Sequence, residues 1–332
     1  MKTIIIAEAG INHNGSLETA KKLIKVASKS KADFIKFQTF KASELVSKKL
    51  KKANYQIKNT SKAKETQYEM LKKLELSEMD HKILLKECKK NKIGFLSTPF
   101  DLKSLNLLLK FKLEYLKISS GDIDNYPLLK KVGKLNKKIF LSTGMSTIKD
   151  IERAIKVLQE CGTNKNHIYI LHCNTSYPTP FKDVNLNAIK TIKKYFKIKT
   201  GYSDHTTGIE VPIAAVAMGA KVIEKHFTLD KELKGPDHKS SLSPKELKQM
   251  IKLIRVFEKS VGKYQKTISK SEAQNLLFIR KSIVARKKIK KGEKFSKKNL
   301  TCKRPGNGIS PMFWEKLIGK KSKKNYKINE QI

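Results

Sequence analysis

Two lysines, three histidines and two glutamates stand with a series of hydroxyls at the ends of short apolar segments. In chain order these ends offer Glu8; Lys36 and Gln38; Ser97 and Thr98; Lys117, Ser119 and Ser120; Ser142 and Thr143; His172; Ser203, Asp204 and His205; Glu224 and His226. Lysines and hydroxyls on successive segment ends make an oxyanion cradle suited to a small dianionic substrate that carries a phosphate and a carboxylate. His205 and His226 end the last two segments, so their imidazoles can meet at one divalent ion, with water or a carboxylate completing the shell. A lone serine at a strand end commonly does no more than cap the next helix. Eight segment ends of the same polar kind are harder to explain that way.

The elements that would position these groups follow from periodicity. Strands are expected at residues 3–7, 33–38, 93–97, 114–118, 138–142, 167–172, 198–202 and 221–226. Between them lie segments with apolar residues at three-and-four spacing, such as 16–30, 77–90, 147–160 and 243–260, with Ser16, Ser77, Thr147 and Ser243 as N-caps. Eight strand–helix alternations predict a (β/α)8 TIM barrel, whose active site sits at the C-terminal ends of its strands. The lysine-rich insertion 41–76 after the second strand is long enough to be a lid or substrate loop. After residue 262 the alternation stops. The expected division is a barrel over 1–262, a linker over 263–275 and a compact β-rich domain over 276–332, in which Phe295, Leu300, Trp314 and Leu317 are available to pack on a partner.

Composition restricts the classes of function. The formal net charge is +42, which raises nucleic-acid binding, yet only five of the 72 basic residues are arginines (Arg153, Arg255, Arg280, Arg286, Arg304) and no aromatics interleave with the lysines. Base-reading surfaces favour the forked guanidinium, so a solvated lysine surface with no nucleic-acid partner is expected. No apolar run nears the roughly 20 residues of a membrane span, and the apolar core of the N-terminus, Ile4 to Ile6, is too short for a secretion signal and is expected to be a buried strand. Cys88, Cys161, Cys173 and Cys302 are far apart with no C-x-x-C pair, pointing to a reducing cytoplasm without disulfides or a zinc site.

Nine motifs, in this order, carry a resemblance: AEAGINHNG, FIKFQT, STPF, KISSGD, LSTGM, HCNTSYPTP, GYSDHT, EKHF and GPDH. Together they resemble the bacterial sialic acid (nonulosonic acid) synthases, and the tail RKSIVARKKIKKGEKFSKKNLTCKRPGNGISP resembles their antifreeze-like (SAF) domain. The resemblance covers almost the whole chain. It implies that Lys36, Thr98, Lys117, Ser120, Ser142 and Ser203 bind phosphoenolpyruvate, that His205 and His226 hold Mn2+ or Mg2+, and that Glu8 does acid/base or water-handling chemistry. It gives sugar contacts to Gln38, Asp122, Tyr177, Asp237 and Arg304, and it implies a domain-swapped homodimer in which the tail of one subunit caps the barrel of the other. Asp122 stands where many members carry glutamate, and the HCNTSYP loop varies among members. Both face the sugar in the family, so the aldose is either N-acetylmannosamine or, as the HCNTSYPTP loop suggests, the 2,4-diacetamido-2,4,6-trideoxymannose of the legionaminic acid branch.

The chemistry implied is an aldol-like attack of C3 of the enol ester on an open-chain aldehyde, then addition of water at C2 and loss of phosphate by C–O cleavage. Two other classes fit parts of the sequence: a metal-dependent barrel aldolase or lyase, and a basic nucleic-acid-binding protein.

Overall fold

Short runs rich in Ile, Phe, Leu and Val become strands here because helices pack on one face of each run and the barrel interior on the other, so that both faces are buried. The computed structural model describes residues 2–60, 62 and 64–332. Its strands are β1 (Ile4–Gly10), β2 (Phe34–Thr39), β3 (Gly94–Pro99), β4 (Tyr115–Ile118), β5 (Lys138–Ser142), β6 (Ile168–Cys173), β7 (Lys199–Asp204) and β8 (Val222–His226). All eight expected strands are present, with ends displaced by three residues at most. They form one parallel sheet in the order β3-β2-β1-β8-β7-β6-β5-β4, and its two edges, β3 and β4, lie against each other to complete the barrel.

Alternation along each strand divides the side chains. Ile6, Leu96, Phe140, Tyr169, Leu171 and Val222 fill the barrel interior. Residues of opposite parity, such as Ile5, Ile35, Phe37 and Ile223, pack outward on the helices. At least one helix follows each strand, among them Leu17–Lys29, Glu78–Lys90, Ile148–Glu160 and Pro244–Ser260. The four expected caps accept their backbone bonds, and Ser77, Thr147 and Ser243 complete capping boxes with Asp80, Asp150 and Glu246. Such a cap contributes about 1 kcal/mol and fixes where a helix leaves the strand end.

The insertion holds the helices Ala42–Leu45, Asn54–Thr60 and Gln67–Lys72, and the first and last of these pack in a small core of Ile11, Phe40, Ala42, Met70, Leu71 and Leu74. Buried Lys52 ties the segment together, donating to Thr60 Oγ1 at 2.8 Å and Glu65 Oε2 at 2.9 Å.

The chain divides into two units, residues 1–261 and 262–332. In the second, β9 (Ser282–Ala285) pairs antiparallel with β10 (Leu300–Lys303), and Leu276 lies in a helical turn, Asn275–Ile279, ahead of the first strand. Phe295 and Leu300 are buried in this unit's own core with Trp314 and Leu317 packed against them. Phe295 and Leu300 are therefore not available to a partner as expected, whereas Trp314 and Leu317 are only partly buried. A domain this small needs its large apolar residues to close its own core.

Candidate active site

Parity decides which strand-end residues converge. Glu8, Lys36, Gln38, Thr98, Lys117, Ser142, Ser203, His205, Glu224 and His226 line one cavity of about 380 Å3 at the C-terminal ends of the strands, joined by Ser119, Ser120, Asp122, Tyr177 and Asp237 from the loops. Ser97, Thr143, His172 and Asp204 do not line it. Ser97 Oγ meets Thr39 Oγ1 at 2.6 Å, Thr143 Oγ1 donates to Leu171 O, His172 Nε2 bonds Val184 O, and Asp204 pairs with Lys225. Arg304 belongs to the second unit, where its Nε donates to Ile279 O at 3.0 Å.

The cavity floor is a buried charge network. Lys36 Nζ lies 3.0 Å from Glu8 Oε1 and 3.7 Å from Glu224 Oε1, and it donates to Thr98 Oγ1 at 2.9 Å. Lys117 Nζ lies 3.7 Å from the same Glu224 oxygen, which also accepts from Ser203 Oγ at 2.9 Å. Glu224 was visible at a strand end but drew no role from the sequence. Its position between two lysines exists only once β2, β4 and β8 face each other across the closed barrel.

Burial pushes Glu8 up to about 7, against the pull of Lys36 and with added repulsion from Glu224. Burial also opposes ionisation of Glu224, but Lys117 and Lys36 outweigh it and hold that carboxyl below its usual range. Desolvation lowers Lys117, whereas Lys36, facing both carboxylates, ends above its ordinary value although burial works against it. Of these two carboxyls, Glu8 is thus the one that exchanges a proton near neutrality.

Four buried atoms at this site have no hydrogen-bond partner among the described residues: Glu8 Oε2, Glu224 Oε2, Ser142 Oγ and His226 Nδ1. Leaving such an atom unsatisfied costs about 1–3 kcal/mol, so the site is built for a polar guest. Gly10 is required here. Its φ is +52°, and a Cβ would come within 3.4 Å of Glu8 Oε1, Gln38 Nε2 and the His226 ring.

His205 and His226 stand with ring centroids 5.4 Å apart. His205 Nδ1 meets Asn174 O at 2.5 Å, which leaves Nε2 as the acceptor, now facing Tyr177 OH at 3.0 Å. Burial lowers His205 to about 4 and depresses His226 strongly as well, so both imidazoles are neutral, the form that ligates metal. A carbonyl-backed imidazole beside one with an unpartnered nitrogen fits a divalent ion. No cluster of three His, Cys, Asp or Glu suited to a metal occurs among the described residues, so water or substrate oxygens would complete the shell.

The insertion contributes a wall that sequence reasoning did not assign: Leu45, Val46, Tyr55, Gln56, Gln67 and Leu71 line the cavity with Ile11, Phe40 and Phe100. Tyr55 stacks on Tyr177 with centroids 5.4 Å apart and 19° between planes. The length of this βα connection was the one available signal. Asp122 is buried, but its two oxygens already accept from Ser119 Oγ and Asn125 Nδ2. The Asp237 carboxylate has no hydrogen-bond donor among the described residues, and burial raises it to about 7.

Residues 23–266 match the model of the NeuB family and residues 280–332 that of the SAF domain. The chain is 56% identical to N,N'-diacetyllegionaminic acid synthase of Campylobacter jejuni, over 100% of this chain and 99% of that protein. It is 44% identical to the protein of the same name from Legionella pneumophila, over 98% of this chain and 92% of the other. Among solved structures, N-acetylneuraminic acid (sialic acid) synthetase from Leptospira borgpetersenii in complex with citrate aligns with a TM-score of 0.72 and 34% identity, covering 83% of this chain and 90% of that one.

Proposed function

The chain belongs to the NeuB family and is a sialic-acid-type synthase, a C–C bond-forming transferase, and from that premise we propose that it condenses phosphoenolpyruvate with 2,4-diacetamido-2,4,6-trideoxymannose and water to N,N'-diacetyllegionaminate and phosphate. The observation that carries this reading is the convergence of four unpartnered buried polar atoms around two buried lysines at the mouth of the barrel. The choice of aldose rests on the two legionaminate relatives and on the apolar wall of Ile11, Phe40, Leu45, Val46, Leu71 and Phe100. That wall suits the deoxy methyl and acetamido methyls of a trideoxy sugar better than a hydroxymethyl group, because a hydroxyl set against it would lose its water partners.

Lys36 and Lys117, with Thr98, Ser120, Ser142 and Ser203, hold the phosphate and carboxylate of phosphoenolpyruvate and keep the leaving phosphate in line. Gln38, Asp122, Tyr177 and Asp237 orient the open-chain aldose so that its aldehyde faces C3 of the enol ester. His205 and His226 would hold Mn2+ or Mg2+, which when bound supplies Lewis-acid polarisation of the aldehyde carbonyl. Glu8 positions and activates the water that adds at C2, a role that suits a carboxyl exchanging its proton near pH 7. The wall of the insertion excludes bulk water from the reacting atoms.

The protein acts in the cytoplasm as a homodimer. Four unpaired cysteines and a phosphorylated metabolite as substrate support that compartment, and no helix among the described residues is long and apolar enough to cross a membrane. Exposed Leu277, Phe278, Ile279, Met312 and Phe313 in the second unit support the dimer. Arg304 then serves the sugar bound in the partner's barrel.

N-acetylmannosamine is the second reading, favoured by the likeness to the Leptospira enzyme. Mass spectrometry of products from an equimolar mixture of the two aldoses with phosphoenolpyruvate and Mn2+ separates them. Predominant N-acetylneuraminate would overturn the choice of sugar. Phosphate release that needs no aldose, or product made from pyruvate, would overturn the synthase mechanism.

A further inference from the structure

Three main-chain carbonyls around Asp237 are each gripped by a hydrogen-bond donor, while the Asp237 carboxylate itself meets none among the described residues. Asn14 Nδ2 donates to Lys234 O at 3.0 Å, and Asn59 Nδ2 donates to Pro236 O at 2.6 Å. Ser241 Oγ donates to Asp237 O at 2.7 Å. That serine accepts in turn from Asn12 Nδ2 at 2.9 Å, and the same amide donates to Phe227 O at 2.8 Å. Asn12 and Asn14 lie in the turn after β1, within the INHNG motif, to which the mechanism gives no role.

His238 braces the arrangement. Its Nε2 faces Asn14 Oδ1 at 3.2 Å and its Nδ1 faces Thr228 Oγ1 at 2.7 Å; a neutral imidazole with its proton on Nε2 satisfies both when the Thr228 hydroxyl turns its hydrogen to Nδ1 rather than to Asp230 O, 3.0 Å away. Gly235 makes this approach possible, since a Cβ there would fall 2.6 Å from His238 Cδ2 and 2.7 Å from Asn14 Oδ1. Asn14 takes φ +50°, a conformation that asparagine tolerates well. Two bonds from one exposed side chain to a loop over 200 residues away do not serve the turn itself, which is already closed by its own backbone bonds, Asn12 N to Ala9 O and Asn14 N to Ile11 O.

We propose that Asn12 and Asn14, braced by His238, are positioning residues that clamp the loop 227–242 and hold the Asp237 carboxylate toward the aldose. The clamp rests on the reading of Asp237 as a sugar contact. Fixing the backbone on both sides of Asp237 lets an otherwise unpaired buried carboxylate meet the sugar hydroxyls without reorganising, and a misplacement of about 1 Å in such a group can cost on the order of 100-fold.

The experiment is steady-state kinetics of Asn14→Gly and Gly235→Ala with whichever of the two aldoses the wild type turns over, each substrate varied in turn. Glycine accepts the backbone angle at position 14, so the first variant removes the two bonds without strain. The second pushes on the clamp from the loop side. Both should lower kcat/KM for the aldose about tenfold or more and leave the KM for phosphoenolpyruvate unchanged, and Asn14→Gly, which introduces no clash, should keep the wild-type Tm within about 2 °C. In an Asp237→Asn background, Asn14→Gly should cost less than about twofold, because the group it positions is already lost. Equal losses for both substrates, an additive double variant, or a normal Asn14→Gly beside an impaired Asp237→Asn would overturn the clamp alone. An Asp237→Asn variant with a normal aldose KM would instead sink the assignment of Asp237, and the clamp with it.

Discussion

Lys225 Nζ lies 2.5 Å from Asp204 Oδ2, with neither side chain exposed, and the two residues sit directly opposite each other on β7 and β8, one position before His205 and His226. Both point away from the cavity, so this ion pair is the outward counterpart of the two inward imidazoles. Lys225 also donates to Thr206 O, and Asp204 accepts from Thr206 N and Oγ1. Breaking one partner of such a pair leaves a buried charge uncompensated, at a cost of about 3–5 kcal/mol. Lys225→Met should therefore lower stability by that amount in chemical denaturation. Asp204→Asn/Lys225→Met, with no charge left to strand, should recover most of the loss. A double variant as unstable as the single would show that the pair stabilises by more than mutual neutralisation.

Glu8→Gln removes the carboxyl that burial holds at about 7 while keeping its shape. The ionised form is the base, so wild-type kcat should fall as pH drops below about 7. The amide should lower kcat by roughly 100- to 10,000-fold, with both KM values kept near wild type, and should abolish that acid limb. A retained limb in Glu8→Gln would assign the titration to another group.

His205→Ala and His226→Ala should each weaken Mn2+ binding, measured by calorimetry on the stripped protein, by 100-fold or more and abolish turnover, with circular dichroism unchanged. Loss of one of two protein ligands leaves a divalent ion held mainly by water. Chelation of the wild type should stop turnover, and restored Mn2+ should revive it. Full turnover in the chelated enzyme would refute the assignment.

His13 offers a stability prediction away from the chemistry. It is fully buried, with Nδ1 accepting from Gly15 N, and burial, with repulsion from His81, lowers it to about 4. Between pH 4 and the ordinary value of 6.5 the unfolded chain binds a proton that the folded chain refuses. The resulting stability is complete above 6.5 and is lost as pH falls toward 4, up to about 3 kcal/mol. The wild-type Tm should therefore fall more steeply than that of His13→Gln between pH 7 and 5, and parallel slopes would count against this account.

The barrel was legible because its signals are local. Apolar runs of strand length, helical spacing and capping residues such as Ser77 and Ser243 each act within a few residues. Parity at the strand ends was less so. Ser203, Asp204 and His205 are consecutive and all polar, and a one-residue shift in a strand end decides which of them faces inward. Tyr55, Gln56 and Gln67 were not legible at all. Their place in the cavity depends on long-range packing of the insertion, through Met70, Leu71 and Leu74 for the helix of Gln67 and through contacts with Tyr177 and Pro236 for the helix of Tyr55 and Gln56.

Arg304 gives the last prediction. It sits in a unit whose Phe295 and Leu300 close their own core, while Phe278, Met312 and Phe313 remain exposed. A small unit with a satisfied core and spare apolar surface is suited to cover another copy of the chain. If each tail serves the barrel of its partner, Arg304→Ala and Glu8→Ala subunits are each nearly inactive alone. A mixed dimer then holds one barrel with Glu8 intact, served by the Arg304 of the Glu8→Ala subunit. With random exchange half the dimers are mixed and half of their sites are complete, so roughly a quarter of wild-type activity should return. The same mixture would regain nothing if each tail served its own barrel, because every site would then lack either Glu8 or Arg304. Native mass spectrometry of the mixture confirms exchange, and absent recovery with exchange complete would refute sharing between subunits.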